Sequence, residues 1–450
     1  MRALRLQNVL RRVHGAALSP APKPRSRRCR TDAALVAGLC SAVLLATLVG
    51  GSAAGDVQPE AMGQVERLEQ PFHAHWVWVS DLVLERAALM DLDNGRFLGM
   101  INGGYGTIKP LFPSRRPEIY VPATYYARRT HGERTDVLEI YDAPTLAWRA
   151  EISLPPKRAT NAVALGHAAL SDDDRFVAVF DWTTGQSLSI VDVEQRRFVA
   201  EIPTPGCSLV YAAGARRFFS LCGDGAALSV TLDDDGHETA RQRTEPFFDP
   251  QSDPVTEKAV RSGNQWFFVS FEGKVHPVDV SGAALGFGES WSLVSDAERA
   301  DRWRVGGLQH SAVHQKTGRF FVLMHRGGPD SHKDAGSEVW VYDLASHRRL
   351  QRVKLVNPGL TIYGFPIDFG RTWVRPFNHL CDWLLDTFAP AAVSSIQVTQ
   401  DDAPLLFTAS QFSGSLGVYD ALSGTFLRRV QPTGWTSDVL LAPWGGKDAS

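Results

Sequence analysis

One short pattern recurs along this chain and limits what it can fold into. An apolar, β-branched run ends in Asp and passes directly into a polar turn. The copies are MDLDNG at Asp91, IYDAPT at Asp142, IVDVEQ at Asp192, VTLDDDG at Asp233, PVDVSG at Asp279, VYDLAS at Asp343 and VYDALSG at Asp420. Most intervals between them are about 40 to 65 residues, the length of one four-stranded propeller blade. The copy at Asp142 is written most clearly: Asp136–Tyr141 and Trp148–Leu154 flank an Asp-Ala-Pro-Thr corner, which predicts an antiparallel hairpin. Strand pairs precede the other copies, as at Arg175–Phe180 with Ser187–Val191 and Arg319–Met324 with Glu338–Tyr342. Seven such units closing on themselves predict an all-β, seven-bladed β-propeller, because closure removes the exposed sheet edges. A chain of 450 residues with 12 Trp and 23 Phe suits one large sheet-rich core. The repeated Asp residues are expected to bond their own turn backbones rather than ring a ligand.

Departures from the repeat are few. Helix signals are nearly absent; Asp296–Asp301 is one short candidate, with Ser295 as its N-cap. Between Asn357 and Val393 the strand pattern breaks, and Phe377, Leu380, Cys381, Leu384, Leu385 and Phe388 fall at helical spacing ahead of Pro390. Residues 360–391 are therefore expected to be an insertion before or within the last blade. Its helix would cover a propeller face or contact a partner or membrane. The strands of the last blade are expected outside it, at Ser395–Val398, Leu405–Ala409, Leu416–Tyr419 and Phe426–Val430.

The N-terminus has the layout of an export signal. Residues 1–32 are basic with Asp32 the one acid, Ala33–Val49 is apolar, and Gly-Gly-Ser-Ala-Ala-Gly follows. The expected signal peptide is 1–54, cut after Ala54, leaving 55–450 as the propeller domain. An uncleaved anchor is the other reading, since about 17 apolar residues approach spanning length. Ser26-Arg27-Arg28 has a twin-arginine pair but lacks the hydrophobic residues that usually follow it. Cys29 and Cys40 leave with the signal. Cys207 and Cys222 flank two strand-like runs around Gly214, which predicts a cross-strand disulfide in an oxidising compartment and leaves Cys381 free.

Motifs for chemistry are mostly missing. The formal net charge is −2 with 21% charged residues, and no basic patch or nucleic-acid motif is present. There is no GxSxG elbow, P-loop or dinucleotide fingerprint. No metal site is expected: the cysteines lack ligand-spaced partners, and the pairs His73/His75 and His310/His314 are read as structural. No catalytic residue is assigned. On these grounds the chain is a scaffold or binding module.

One stretch resembles a known family closely. Arg129-Thr-His-Gly-Glu-Arg-Thr-Asp-Val137, followed by Tyr-Asp-x-x-Thr-Leu, resembles the heavy subunit of the periplasmic methylamine and aromatic amine dehydrogenases. Gly99–Tyr105, Cys207 with Cys222–Gly225, Ala297–Arg304 and His332-Lys333 agree in the same order, from about Gln64 to the C-terminus. Val339–Asp343 leans toward the aromatic amine branch. The resemblance implies a seven-bladed propeller in a heterotetramer of two heavy and two light subunits. The light subunit would carry the tryptophan tryptophylquinone and catalytic base, and a blue copper protein of the amicyanin or azurin type would accept electrons. The complex would oxidise small primary amines to aldehydes and ammonia in the periplasm, and no cofactor would sit on this chain. Tyr105, after Gly103-Gly104, is then expected to line the substrate channel. The 360–391 insertion has no counterpart in the family pattern. A free-standing periplasmic propeller that binds a ligand or protein, without a quinone subunit, is the alternative.

Overall fold

The computed structural model describes residues 67–106, 108–160, 165–356, 361–362, 365–366, 391–410, 415–431, 434 and 436–444. The expected signal peptide (1–54), Cys381 and the helix expected within 360–391 lie outside the described residues.

Seven antiparallel sheets follow one another around a ring. Blade 1 contains Trp76–Asp81, Arg86–Asp91 and Phe97–Asn102. Blade 2 contains Glu118–Arg128, His131–Asp142 and Trp148–Leu154, with Leu111 bridged to Tyr120 on its inner side. Blade 3 runs from Ala168–Leu170 out to Arg197–Pro203, and blade 4 from Cys207–Ala212 out to Glu238–Arg243. Blade 5 begins at Val260–Ser262 and blade 6 at Ser311–His314. Blade 7 consists of Ser395–Val398, Leu405–Ala409, Leu416–Asp420 and Phe426–Val430, close to the bounds expected from sequence. The short helix is present at Asp296–Ala300, with Ser295 and Glu298 forming a reciprocal capping box. Among the described residues no helix is long and apolar enough to cross a membrane.

Packing explains why the strands read as continuous apolar runs. Phe176–Asp181 and Ser187–Asp192 are buried at every position, on both sheet faces. Each blade is sandwiched between two neighbours, so both faces of a middle strand meet apolar surface. Among the described residues each pair of adjacent blades shares an apolar cluster. Phe176, Phe180 and Phe218 join blades 3 and 4; Trp303, Phe320 and Trp340 face Phe267 and Val269 between blades 5 and 6. The outermost strands turn polar: Glu238–Arg243 is exposed along most of its length.

The seven repeated Asp residues all stand at or just past the end of a third strand, on one face of the ring, here the turn face. Every one accepts a backbone N–H two or three residues further on. The donors are Asp93, Thr145, Glu194, Asp235, Ser281, Ser346 and Ser423, in chain order. The turn role expected of them is what the structure shows.

The strand that closes the ring is the feature absent from the sequence reading. Val439–Leu441 pairs antiparallel with Trp76–Asp81, so the end of the chain supplies the innermost strand of blade 1. Leu440 is fully buried there, and the Leu82 N–H donates to Asp438 at 2.8 Å. The boundary drawn at Ala391 also needs correction. Ala391 is buried in the cluster between blades 6 and 7, and Val393 and Gly336 exchange backbone hydrogen bonds at 2.7 and 2.9 Å. Chain from Ala391 onward thus belongs to the propeller body. Thr361–Ile362 and Phe365–Pro366, inside the inserted stretch, form a two-stranded pair.

Candidate functional site

The face opposite the Asp turns, here the loop face, carries the expected channel residue. After Phe97–Asn102 the chain reaches Gly103-Gly104-Tyr105. Gly104 has φ +65°, and a Cβ there would lie 2.3 Å from the Thr124 carbonyl oxygen. A Cβ on Gly103 would crowd Ile108 and Val121 at 2.9 Å. The two glycines therefore let this corner of blade 1 lie directly against blade 2. The Tyr105 N–H donates to the Thr124 carbonyl at 2.7 Å, and its ring meets Tyr126 edge-on at 5.4 Å. Tyr105 stays 36% exposed.

Beneath Tyr105 lies a buried ionic network that no sequence motif announced. The Arg158 guanidinium, 3% exposed, donates to Thr124 Oγ1 at 3.0 Å and to the Tyr105 carbonyl at 3.3 Å. The Arg158 N–H donates to Asp136 Oδ2 at 2.8 Å, and Arg134 grips the same carboxylate at 2.7 and 2.9 Å. Burial pushes the Arg158 guanidinium down to about 10, with Asp136 opposing that shift. Asp181, which bridges Arg158 from blade 3, is pushed up to about 7, chiefly by burial. Its Oδ2 accepts from Ser189 at 2.7 Å, while its Oδ1 has no partner among the described residues. His167 is held near 4 by burial and by the charges of Arg158 and Lys109. A sequence signal for this network exists: Asp136 opens the Asp136–Tyr141 run and Arg158 lies four residues beyond its hairpin partner Trp148–Leu154.

Around Tyr105 the loop face exposes several apolar side chains beside the charged tip of the blade-2 hairpin, where Arg128, Arg129, His131 and Glu133 are exposed. Leu82, Val83 and Leu84 in blade 1, Tyr125 on the long blade-2 hairpin and Trp182 in blade 3 are all exposed. The Gly103 N–H donates to the Glu85 carbonyl and the Trp182 N–H to the Lys157 carbonyl, which ties these loops to the Tyr105 corner. The central channel holds a cavity of about 280 Å³ lined by Lys109, Gln309, Ser311, Gln397 and Gln400 among others. Lys109 donates to the Ala168 carbonyl at 3.0 Å, and burial lowers it to about 8.

The remaining predicted positions are accounted for. Cys207 and Cys222 stand directly opposite each other on neighbouring strands of blade 4 and are disulfide-bonded. Arg243 covers both sulfurs at 3.2 and 3.3 Å. His310 is buried between Thr256 and Ser311, whereas His314 bonds Thr317 and the Asp401 carbonyl, so the two share no partner. His73 and His75 come together with Asp93 on the turn face.

Fold and face together define a closed seven-bladed propeller with a buried ionic network backing the Tyr105 corner. The chain belongs to the methylamine dehydrogenase heavy chain family, whose model matches residues 74–363, from the first strand of blade 1 into the inserted segment. The methylamine dehydrogenase heavy chain of Methylophilus methylotrophus is 25% identical over 353 residues, covering 78% of each chain. That of Paracoccus versutus is 27% identical over 355 residues, covering 78% of this chain and 74% of the relative. Among solved structures, a protein of unknown function from Desulfotomaculum acetoxidans is similar in fold, with TM-score 0.52 and 13% identity over 83% of this chain and 98% of its own.

Proposed function

We propose that this chain is the heavy, quinone-free subunit of a periplasmic amine dehydrogenase. The complex converts a primary amine and water to an aldehyde and ammonia, releasing two electrons and two protons. Oxidation is supplied by the tryptophan tryptophylquinone of a separate light subunit, and a blue copper protein of the amicyanin or azurin type receives the electrons. Residues 1–54 direct export and are removed, and two heavy chains assemble with two light chains.

Family membership across residues 74–363 carries this reading. The exposed apolar side chains around Tyr105 support that surface as the seat of the light subunit, since a group of them marks a surface that another protein covers. Within it the Tyr105 ring is placed to pack against the apolar part of the amine, and its size selects among substrates. Arg158 and Thr124 hold the Tyr105 backbone from below, so the ring stands on a fixed base.

Purification from the native source, followed by visible absorbance and subunit analysis, tests the proposal. The expected result is co-elution with a small light chain and an absorbance band that bleaches on adding methylamine. A colourless protein that elutes alone would overturn it in favour of a free-standing binding propeller.

A further inference from the structure

The chain leading into blade 1 reverses just before Trp76 and brings His73 and His75 beside the Asp93 turn. One donor atom from each of the three lies within 4.8 Å of the others. His75 Nδ1 is 2.9 Å from Asp93 Oδ2, and the two imidazoles meet edge to face at 5.2 Å. Ligand atoms around a tetrahedral zinc ion stand roughly 3.3 Å apart for bond lengths near 2.0–2.1 Å, so a contraction of at most about 1.5 Å closes the group on an ion.

A second contact bears on which nitrogen of His75 is available. Its Nε2 lies 3.2 Å from Asp401 Oδ2, a carboxylate of blade 7. Asp401 is itself held by the Thr399 hydroxyl at 2.8 Å and the Ala403 N–H at 3.2 Å. A carboxylate that accepts the Nε2–H leaves the Nδ1 lone pair turned toward Asp93. This is the arrangement that orients metal-binding imidazoles, in which the second ring nitrogen donates to a carboxylate. His73 Nδ1 accepts the His75 N–H at 3.2 Å, so this nitrogen carries no proton, and an ion bound through it replaces that long backbone hydrogen bond. Arg428 donates to Asp93 Oδ1 at 2.7 Å, which fixes the carboxylate with both oxygens facing His75 Nδ1, at 3.0 and 2.9 Å.

We propose that His73, His75 and Asp93 bind one borderline divalent transition-metal ion, Zn²⁺ or Cu²⁺, with Asp401 as the positioning residue for His75. Two imidazoles and one carboxylate suit these ions and not Ca²⁺ or Mg²⁺, which take oxygen ligands. The site sits at the seam of the ring. It gathers the segment before the first strand and the blade-1 turn, with blade 7 attached through Asp401 and Arg428. A bound ion therefore pins the closure and stabilises the folded ring by mass action. A proton shared between His75 and its two carboxylates is the competing occupant, and it makes no use of His73.

The test uses the full chain as purified, dialysed against chelator and titrated with Zn²⁺, Cu²⁺ and Ca²⁺. The expected result is one Zn²⁺ per chain, a raised Tm, no saturable Ca²⁺ binding, and a Cu²⁺ spectrum showing two nitrogen ligands. His73→Gln, at an exposed position outside the seam contacts, should weaken Zn²⁺ binding at least ~10-fold while leaving the metal-free Tm unchanged. Asp401→Ala should weaken it by about 10- to 100-fold with one ion still bound, and Asp401→Asn, which keeps an acceptor oxygen, should restore most of the affinity. No saturable binding of either ion, or binding that His73→Gln leaves intact, would overturn the proposal.

Discussion

At the scale of single residues, Tyr105 and the ionic network beneath it make separable predictions. Tyr105→Ala in a reconstituted complex should change the ratio of kcat/KM values for small and bulky amines while assembly is kept. Equal ratios across an amine series would make Tyr105 a structural residue. Asp136→Ala breaks the Arg134–Asp136 pair and removes the charge that offsets the buried Arg158 guanidinium, a loss of roughly 3–5 kcal/mol, readable as a lower urea midpoint. Asp181 gives a pH signature. Folding raises its carboxyl from 3.8 to about 7, so between those values the native state holds a proton that the unfolded chain has released. Stability should therefore fall as pH rises through that window and level off above it. Asp181→Asn removes the effect, so the variant's stability relative to wild type should grow from pH 4 to pH 8 in melting scans. Tyr105 could be singled out in advance because its Gly-Gly approach and family wording are local. Asp181 could not, because its surroundings come from two blades.

At the scale of elements, local chemistry decided most of what formed. The blade-4 hairpin is closed by Cys207–Cys222, 15 residues apart, for which chain entropy gives about 3 kcal/mol. Replacing both by Ser should lower stability by about that amount, and non-reducing peptide maps of the wild type should show the linked pair. The Ser295 helix and the Asp turns depend on contacts two to three residues apart, which is why spacing alone located them. The inserted stretch is different in kind. Replacing 367–390 with a short Gly-Ser linker, while keeping the 361–366 pair and Ala391 onward, should leave a soluble β-rich protein. A chain that then fails to fold would place those residues in the core.

The propeller depends on a contact between its first and last strands. Trp78 pairs with Leu441 and Ser80 with Val439, so blade 1 lacks its inner strand until the last segment arrives. Truncation before Thr436 should expose the buried face of blade 1, with Trp78 and Leu89 at its centre. Calorimetry should then show a lower, broader transition, and size exclusion should show self-association through the open edge. An unchanged melt would mean that the other blades close the ring without this strand.

Seven Asp-ended strands, each with its own turn, determined the blade count by themselves, because a turn needs only its neighbours in the chain. Alternating polarity within a strand proved a poor guide. In Phe176–Asp181 both faces are buried, since a blade is covered on each side by another blade. Tertiary structure alone decided the meeting of His75 with Asp401, of Arg158 with Asp181, and of Val439–Leu441 with the first blade. A three-residue strand carries too little periodicity to be read, and its partner lies more than 350 residues away. Only the curvature accumulated over seven packed sheets brings the first and last strands together.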